Sequence, residues 1–434
     1  MQFELRHPAK KLAATAALLV LSTAYLALIT TRYFAARLSD APDESRLKRA
    51  ARLDPGNADY PNLIGRYTLL MQQSPQAALP WLETATRLNP NIASYWLDLA
   101  VARQSVGDTD SETQALRHAL DADPRTPKIA WQAANLFLVQ GSTEEAMRGF
   151  RLVMENNPPL TWPALQICWN VRPDIDFLLN NVVPPSVDRS FLEFLVAKHE
   201  SAAAAKVWER MYSLQQPIAR SLVFEYIRHL IAQEEATQAA LVWRQAASLS
   251  GLAAYQPSPE NLLVNGDFSL EILNGGFDWL YQKSRAVSLA LDPTENHSSS
   301  RSLRIIFDGP GIEDAGIRQL VAVEPNTVYE FSAFYKAQEM DGAGGVKFAI
   351  QDLYRETPFF LSEDLRDADF WKKVSGTFTT GPNTQLLVLR IARAPAGSPI
   401  RGKLWIDGLQ LVTGDGSIAS IKDGSIAAAE KEGQ

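Results

Sequence analysis

Catalysis needs side chains that converge, and few residue types in this sequence stand in spacings that achieve it. The five histidines, His7, His118, His199, His229 and His297, are scattered, with no HExxH or other ligand spacing. His118 and His229 fall on predicted helices among charged neighbours, where exposed face positions are expected. The single cysteine, Cys168, excludes an intrachain disulfide and a cysteine metal cluster. Between Ile167 and Trp169 it reads as a small buried apolar residue. No GxSxG elbow or phosphate-cradling glycine loop is present. Gly342-Ala343-Gly344-Gly345 joins two predicted strands and is expected to be a hairpin connection. Asp352, Glu356, Glu363 and Asp364 cluster in and beside the long connection Leu353–Phe370. They read as a solvated loop or, with Tyr354, Phe359 and Phe360, as a lip over a ligand face. Glycoside hydrolysis needs a carboxylate pair, so these residue types leave that chemistry open without supplying a motif for it.

The elements that would position such residues form three stretches of different texture. A length of 434 residues leaves room for two or three domains, and 46% hydrophobic with 21% charged residues describes a folded chain. The net charge of −7 argues against a nucleic-acid partner, which needs a basic face.

The first stretch is apolar. Arg6, Lys10 and Lys11 precede the uncharged run Leu12–Thr30. Its 19 residues, at a rise of about 1.5 Å each, nearly span a hydrocarbon core. The basic flank predicts a cytoplasmic stub over residues 1–11, a signal-anchor helix over 12–30, and the bulk of the chain outside a bacterial-type inner membrane. A cleaved signal peptide competes at Ser22-Thr23-Ala24, but the run continues through Leu28 and Ile29, so retention of the helix is the expectation.

The second stretch carries a ladder. Pro55, Pro90, Pro124 and Pro158 stand 35, 34 and 34 residues apart, closing the phrases Leu53-Asp54-Pro55, Leu88-Asn89-Pro90, Ala122-Asp123-Pro124 and Asn156-Asn157-Pro158. A period near 34 ended by a helix-breaking proline marks stacked helical hairpins. Within the frame stand Trp96, Leu99, Ala100, Leu116 and Ala119, then Ala130, Ala133, Ala134, Phe137, Ala146, Phe150 and Val153. This pattern resembles the tetratricopeptide repeat over residues 45–158. The resemblance implies repeat packing through Trp96, Leu99, Ala100, Ala119, Pro124, Ala134, Phe137, Ala146 and Phe150, and a protein partner on the solenoid face. Prolines break the register in residues 159–250. Ala204, Trp208, Met211 and Ala239, Trp243, Ala246, 35 residues apart, then mark two degenerate hairpins. Residues 251–259 read as a linker.

The third stretch, 260–413, is a series of short β-rich runs: Ala286–Leu291, Ser302–Phe307, Gly316–Val323, Thr327–Lys336, Gly345–Asp352, Trp371–Thr379, Thr384–Ile391 and Gly402–Val412. In Thr327–Lys336, Tyr329, Phe331, Ala333 and Tyr335 share one face. Strands at this spacing predict an antiparallel sandwich or jelly roll. Its opening Asn261–Phe268, with Asn265-Gly266-Asp267-Phe268, the Gly276-Phe277-Asp278-Trp279 phrase and the closing Leu404-Trp405-Ile406-Asp407 resemble the galactose-binding-like jelly roll, which includes many carbohydrate-binding modules. The resemblance implies a structural calcium ion tying the opening strand to the closing one through Asp407. The second carboxylate position falls on Ser269, leaving Asp267 or the Asn265 carbonyl to compensate. It also implies a sugar site with an aromatic platform and planar polar groups, for which Trp279, Tyr281, Gln351 and Arg390 are the candidates. Residues 414–434, with Asp415-Gly416-Ser417-Ile418-Ala419 and its copy from Asp423, read as a disordered tail.

The expectation is therefore a multi-domain α plus β protein: transmembrane helix, tetratricopeptide-like solenoid and C-terminal jelly roll. It is expected to be a non-catalytic envelope scaffold without a catalytic cofactor, binding a protein through the solenoid and a glycan through the jelly roll. The process would be the assembly or export of cell-surface polysaccharide. Two other classes compete: a secreted glycan-active enzyme with carboxylates on the sandwich, and a structural assembly factor with no sugar ligand.

Overall fold

The computed structural model describes residues 8–40, 43–366 and 368–414. The first seven residues of the predicted stub and the tail beyond Gly414 lie outside them. The chain divides into two compact units, Met1–Phe194 and Leu195–Gln434.

The first unit opens with α1 (Pro8–Ser39). Its Lys11–Ser39 stretch is long and apolar enough to cross a membrane, and it runs beyond the 12–30 range expected. Helix α2 (Glu44–Leu53) starts at Asp43, whose carboxylate accepts the amides of Ser45 and Arg46. Three hairpins follow: α3 (Asp59–Leu70) with α4 (Pro75–Leu88), α5 (Ala93–Val106) with α6 (Thr109–Ala122), and α7 (Pro127–Gln140) with α8 (Thr143–Asn156). Each ladder proline follows a C-cap: Asp54, Asn89, Asp123 and Asn157 end α2, α4, α6 and α8. Proline there cannot continue the helix, and this sets the register.

Helices of a hairpin meet at small residues. Ala100, Ala119, Ala134 and Ala146 are fully buried, as is Phe150, with Leu99 and Phe137 nearly so. Two glycines sit at such contacts, Gly65 within the repeat frame and Gly149, which the frame did not single out: a Cβ on Gly65 would stand 2.5 Å from Leu82 Cγ, and one on Gly149 2.8 Å from Ala134 Cβ. Trp96 is half-buried; it donates Nε1–H to the Pro90 carbonyl and stacks on the exposed His118 with ring centroids 4.5 Å apart. Beyond Pro158 the prolines leave short pieces, α9 (Thr161–Val171), α10 (Ile175–Phe177) and α11 (Asp188–Ala197). Cys168 is buried in α9, and burial pushes its thiol up to about 12, which makes it unreactive.

The second unit begins with α12 (Ser201–Ser213), α13 (Arg220–Ala232) and α14 (Ala236–Leu249). Ala204, Trp208 and Met211 are buried on α12, and Ala239, Trp243 and Ala246 occupy the same places on α14. His229 departs from expectation. It is buried, not exposed, and its Nε2 lies 2.9 Å from Ser201 Oγ, because α13 turns that face inward.

Ten strands follow: β1 (Leu280–Tyr281), β2 (Val287–Asp292), β3 (Ser302–Gly311), β4 (Asp314–Ala322), β5 (Val328–Asp341), β6 (Gly345–Asp352), β7 (Pro358–Leu361), β8 (Ala368–Thr379), β9 (Leu386–Ala394) and β10 (Pro399–Thr413). They make two five-stranded antiparallel sheets, β1-β4-β9-β6-β7 and β2-β3-β10-β5-β8. Tyr329, Phe331, Ala333 and Tyr335 point into the core between them, as their alternation predicts. The Gly342–Gly345 stretch is not a hairpin connection. β5 and β6 belong to different sheets, so it crosses the sandwich edge, where Gly342 and Gly344 take φ of 143° and 76° against the backbone of Pro399 and Ala394.

Within residues 251–259, Leu252 and Tyr255 are buried and Gln256 half-buried, while the other six are exposed. Trp243 Nε1–H donates to the Tyr255 carbonyl at 2.9 Å, the Tyr255 hydroxyl donates to the Glu271 carbonyl at 2.9 Å, and Gln256 donates to the carbonyls of Trp243 and Leu252. Gly275 and Gly276 lie directly under the rings of Phe224 and Trp243, where a Cβ would collide with the ring carbons. The α13–α14 hairpin is thereby seated on the entry to the sandwich.

Candidate functional site

Alternation along β4, β9 and β6 sends Ile317, Val321, Leu387, Leu389, Ile391, Val346, Phe348 and Ile350 into the core. The intervening residues therefore face outward as a strip. Arg318 stands opposite Arg390, which stands opposite Ala349; one row away Leu320 faces Val388, which faces Gln351. Arg390 donates Nη2–H to Gln351 Oε1 at 3.0 Å, and its Nη1 lies 4.0 Å from Asp314 Oδ2. Arg318 is exposed, while Lys347 reaches Asp364 at 3.3 Å. Two of the four predicted sugar contacts, Gln351 and Arg390, are thus joined on one surface. A planar amide beside a planar guanidinium can hold vicinal hydroxyls.

One end of this strip is covered. Leu320 and Val388 point outward yet are only 7% and 5% exposed. Trp243 and Arg244 of α14 share with Leu320 the lining of a cavity of about 280 Å³. In the next row Arg318 is exposed and Arg390 half-buried, and Lys347 beyond them is half-buried.

The other two predicted contacts lie elsewhere. Trp279 offers no platform. It is 1% exposed, packs on Phe268 with centroids 5.2 Å apart, and donates Nε1–H to the Asn265 carbonyl at 3.1 Å. Tyr281 is exposed at the seam between β1 and β2. There, with Lys283 and Ser288, it borders a groove of about 490 Å³ over Leu289 and Leu291.

Among the described residues, Asp352, Glu356, Glu363 and Asp364 in and beside the 353–370 connection do not pair with one another. Asp352 is fully buried and accepts the Thr384 hydroxyl at 2.7 Å and the amides of Tyr354 and Arg355 at 2.8 and 2.9 Å. Burial alone would raise its carboxyl, but those bonds outweigh it and hold the group below the usual carboxylate range. Glu356 and Glu363 are exposed. Phe359 and Phe360 form no lip; they turn inward, onto Phe378 and Phe331.

The implied calcium site does not fit these residues. Asp407 is fully buried, and its oxygens are already taken: Oδ2 by the amides of His297 and Ser298, both at 2.7 Å, and Oδ1 by that of Gly408 at 2.6 Å. Asp267 Oδ1 accepts the amide and hydroxyl of Ser269, and the Asn265 carbonyl is held by Trp279. Among the described residues no three His, Cys, Asp or Glu side chains gather as a metal cluster.

The first unit contributes a groove of about 470 Å³ across α3, α5 and α7, bordered by Arg66, Asp98, Lys128, Trp131 and Asn135. Asn62 donates Nδ2–H to Asp98 Oδ2 at 3.0 Å, and Arg66 lies 3.8 Å from the same oxygen. Burial pushes the Asp98 carboxyl up. The repeat pattern does not mark these polar residues, because it registers only the apolar faces where helices touch.

Residues 260–397 match the model of a family described as a carbohydrate binding domain. No curated protein matches the chain. Among solved structures it is similar to one titled "CBM4 structure and function", at 15% identity over 35% of this chain and 99% of that one, with a TM-score of 0.27. It is also similar to a MamA fragment from Desulfovibrio magneticus RS-1, at 20% identity over 30% of this chain and 76% of that one, TM-score 0.26. A third is YrrB, titled a TPR protein with an unusual peptide-binding site, at 20% identity over 29% and 63%, TM-score 0.25. The chain is a tetratricopeptide-like helical array followed by a C-terminal jelly roll that matches a carbohydrate-binding family.

Proposed function

We propose that this protein is a non-catalytic envelope scaffold, held in a membrane by α1, that binds a protein partner through its helical array and a glycan through its jelly roll. The carbohydrate-binding match of residues 260–397 carries the reading. The glycan lies on the outer strip of β4, β9 and β6, where Arg390 and Gln351 meet. The partner segment lies in the groove of α3, α5 and α7, with Asp98, Arg66 and Lys128 as its polar contacts. Commitment of Asp352 to Thr384 and two backbone amides supports binding over hydrolysis. Work in the assembly or export of a cell-surface polysaccharide follows from joining the two binding roles at a membrane.

A second reading, a structural assembly factor with no sugar ligand, is favoured by one observation: α14 already covers the Leu320–Val388 end of the strip. A glycan array probed with the detergent-solubilised full chain decides between them. Retention of an oligosaccharide that Arg390→Ala and Gln351→Ala each weaken by roughly tenfold supports the scaffold, since one lost charged hydrogen bond is worth about 1.5–3 kcal/mol. Weakening by Tyr281→Ala alone would move the site to the β1–β2 groove. No retention at all would favour the second reading.

A further inference from the structure

We infer that the guanidinium of Arg301 does in this jelly roll what the implied calcium ion would do, so that the opening and closing segments are tied together without a metal. The opening segment presents a row of oxygens: the carbonyls of Asp267, Phe268 and Ser269 and the carboxylate of Glu271. Such a row is the donor set a hard cation seeks. Every member of it is spent on the loop that precedes β3. Arg301 donates Nε–H to the Phe268 carbonyl at 2.9 Å, Nη2–H to the Ser269 carbonyl at 3.1 Å and Nη1–H to Glu271 Oε1 at 2.6 Å. Ser299 donates its hydroxyl to the Asp267 carbonyl at 2.6 Å.

The same loop closes the other side. The amides of His297 and Ser298 both reach Asp407 Oδ2, and the Gly408 amide reaches Oδ1, so the buried carboxylate of the closing strand is satisfied by N–H groups. Residues 297–301 therefore bridge the two segments from end to end. The planar guanidinium suits this work, because its five donors form a fixed fork that can serve two carbonyls and a carboxylate at once. Calcium needs six to eight oxygens at about 2.3–2.6 Å. Here it could collect them only by expelling Arg301 and stripping three amides from Asp407. Serine at position 269 agrees with this: a carboxylate there has no cation to meet, and the Ser269 hydroxyl instead caps Asp267.

Thermal unfolding of the full chain in detergent, followed by circular dichroism in millimolar Ca²⁺ and in EGTA, tests the inference, with terbium luminescence as a direct probe of a cation site. The wild type should unfold within about 1 °C of the same temperature in both buffers, since only a cation that binds the native state raises the midpoint. It should also leave terbium emission unchanged. Arg301→Ala should lower the β-rich transition by roughly 4–10 °C, and Arg301→Lys by an intermediate amount, because an ammonium is a point donor. A wild-type midpoint raised by several degrees in Ca²⁺, or Arg301→Ala melting like the wild type, overturns it. Should Arg301→Ala fail to fold, the wild-type comparison and the lysine variant still decide.

Discussion

Gly149 of α8 lies so close to Ala134 of α7 that a Cβ built on the glycine would stand 2.8 Å from the alanine methyl carbon. The two helices of this hairpin meet backbone to backbone at that point, and no side chain larger than a methyl group fits between them. The array depends on the smallness of such residues.

Ala134→Leu and Gly149→Val should each lower the helical unfolding transition by the equivalent of about 1–3 kcal/mol, the usual cost of overpacking. His118→Ala, which removes only an exposed ring from the face of Trp96, should stay within about 0.5 kcal/mol. Circular dichroism melts of the three variants check this, and equal shifts would place the hairpin contact elsewhere.

The sandwich is expected to need its helical neighbours. Gly275 and Gly276 lie beneath Phe224 and Trp243, and Trp243 also holds the Tyr255 carbonyl. A fragment beginning at Leu195 should melt cooperatively. One beginning at Ser258 should melt several degrees lower and bind a hydrophobic dye through its uncovered Phe277 and Leu320. Equal midpoints for the two fragments would show that the hairpin only rests on the sheet.

A pH dependence should arise at the same junction. Asp278 is fully buried; Oδ2 accepts the Leu273 amide at 2.6 Å, and Oδ1 has no partner. Burial pushes its carboxyl up to about 6. The folded protein then holds this proton more tightly than the unfolded chain, so the contribution is full below the unfolded value near 4 and fades as pH rises through about 6. Stability should fall by at most about 1.4 kcal/mol per pH unit across that window. Asp278→Asn should flatten the window in urea titrations at stepped pH; an unchanged slope would assign the effect to other groups.

Trp279 and Tyr281, two residues apart, should behave oppositely. Trp279→Ala empties a core site and should cost about 3–5 kcal/mol. Tyr281→Ala trims an exposed edge and should stay within about 0.5 kcal/mol. Chemical denaturation of the two variants separates them, and a large loss for Tyr281→Ala would mean that the β1–β2 seam is closed by that ring.

What the sequence determines by itself is whatever repeats within a short window. The ladder prolines each landed just after a helix C-cap, because a proline there lacks the N–H that the next turn would need and so disfavours continuing the helix. Tyr329, Phe331, Ala333 and Tyr335 announced the buried face of β5, because a strand turns alternate side chains to opposite sides. Gln351 and Arg390 could each be placed on a strand in the same way. Only the tertiary structure decided that β6 and β9 are neighbours and that the two side chains touch. It also sent Trp279 into the core, turned His229 toward Ser201, and set β5 and β6 in different sheets. The bridge from Phe268 through Arg301 to the loop on Asp407 joins positions more than a hundred residues apart. No local period records such a meeting: hydrogen-bond partners are chosen by which segments the core brings within 3 Å, and that choice belongs to the packed chain as a whole.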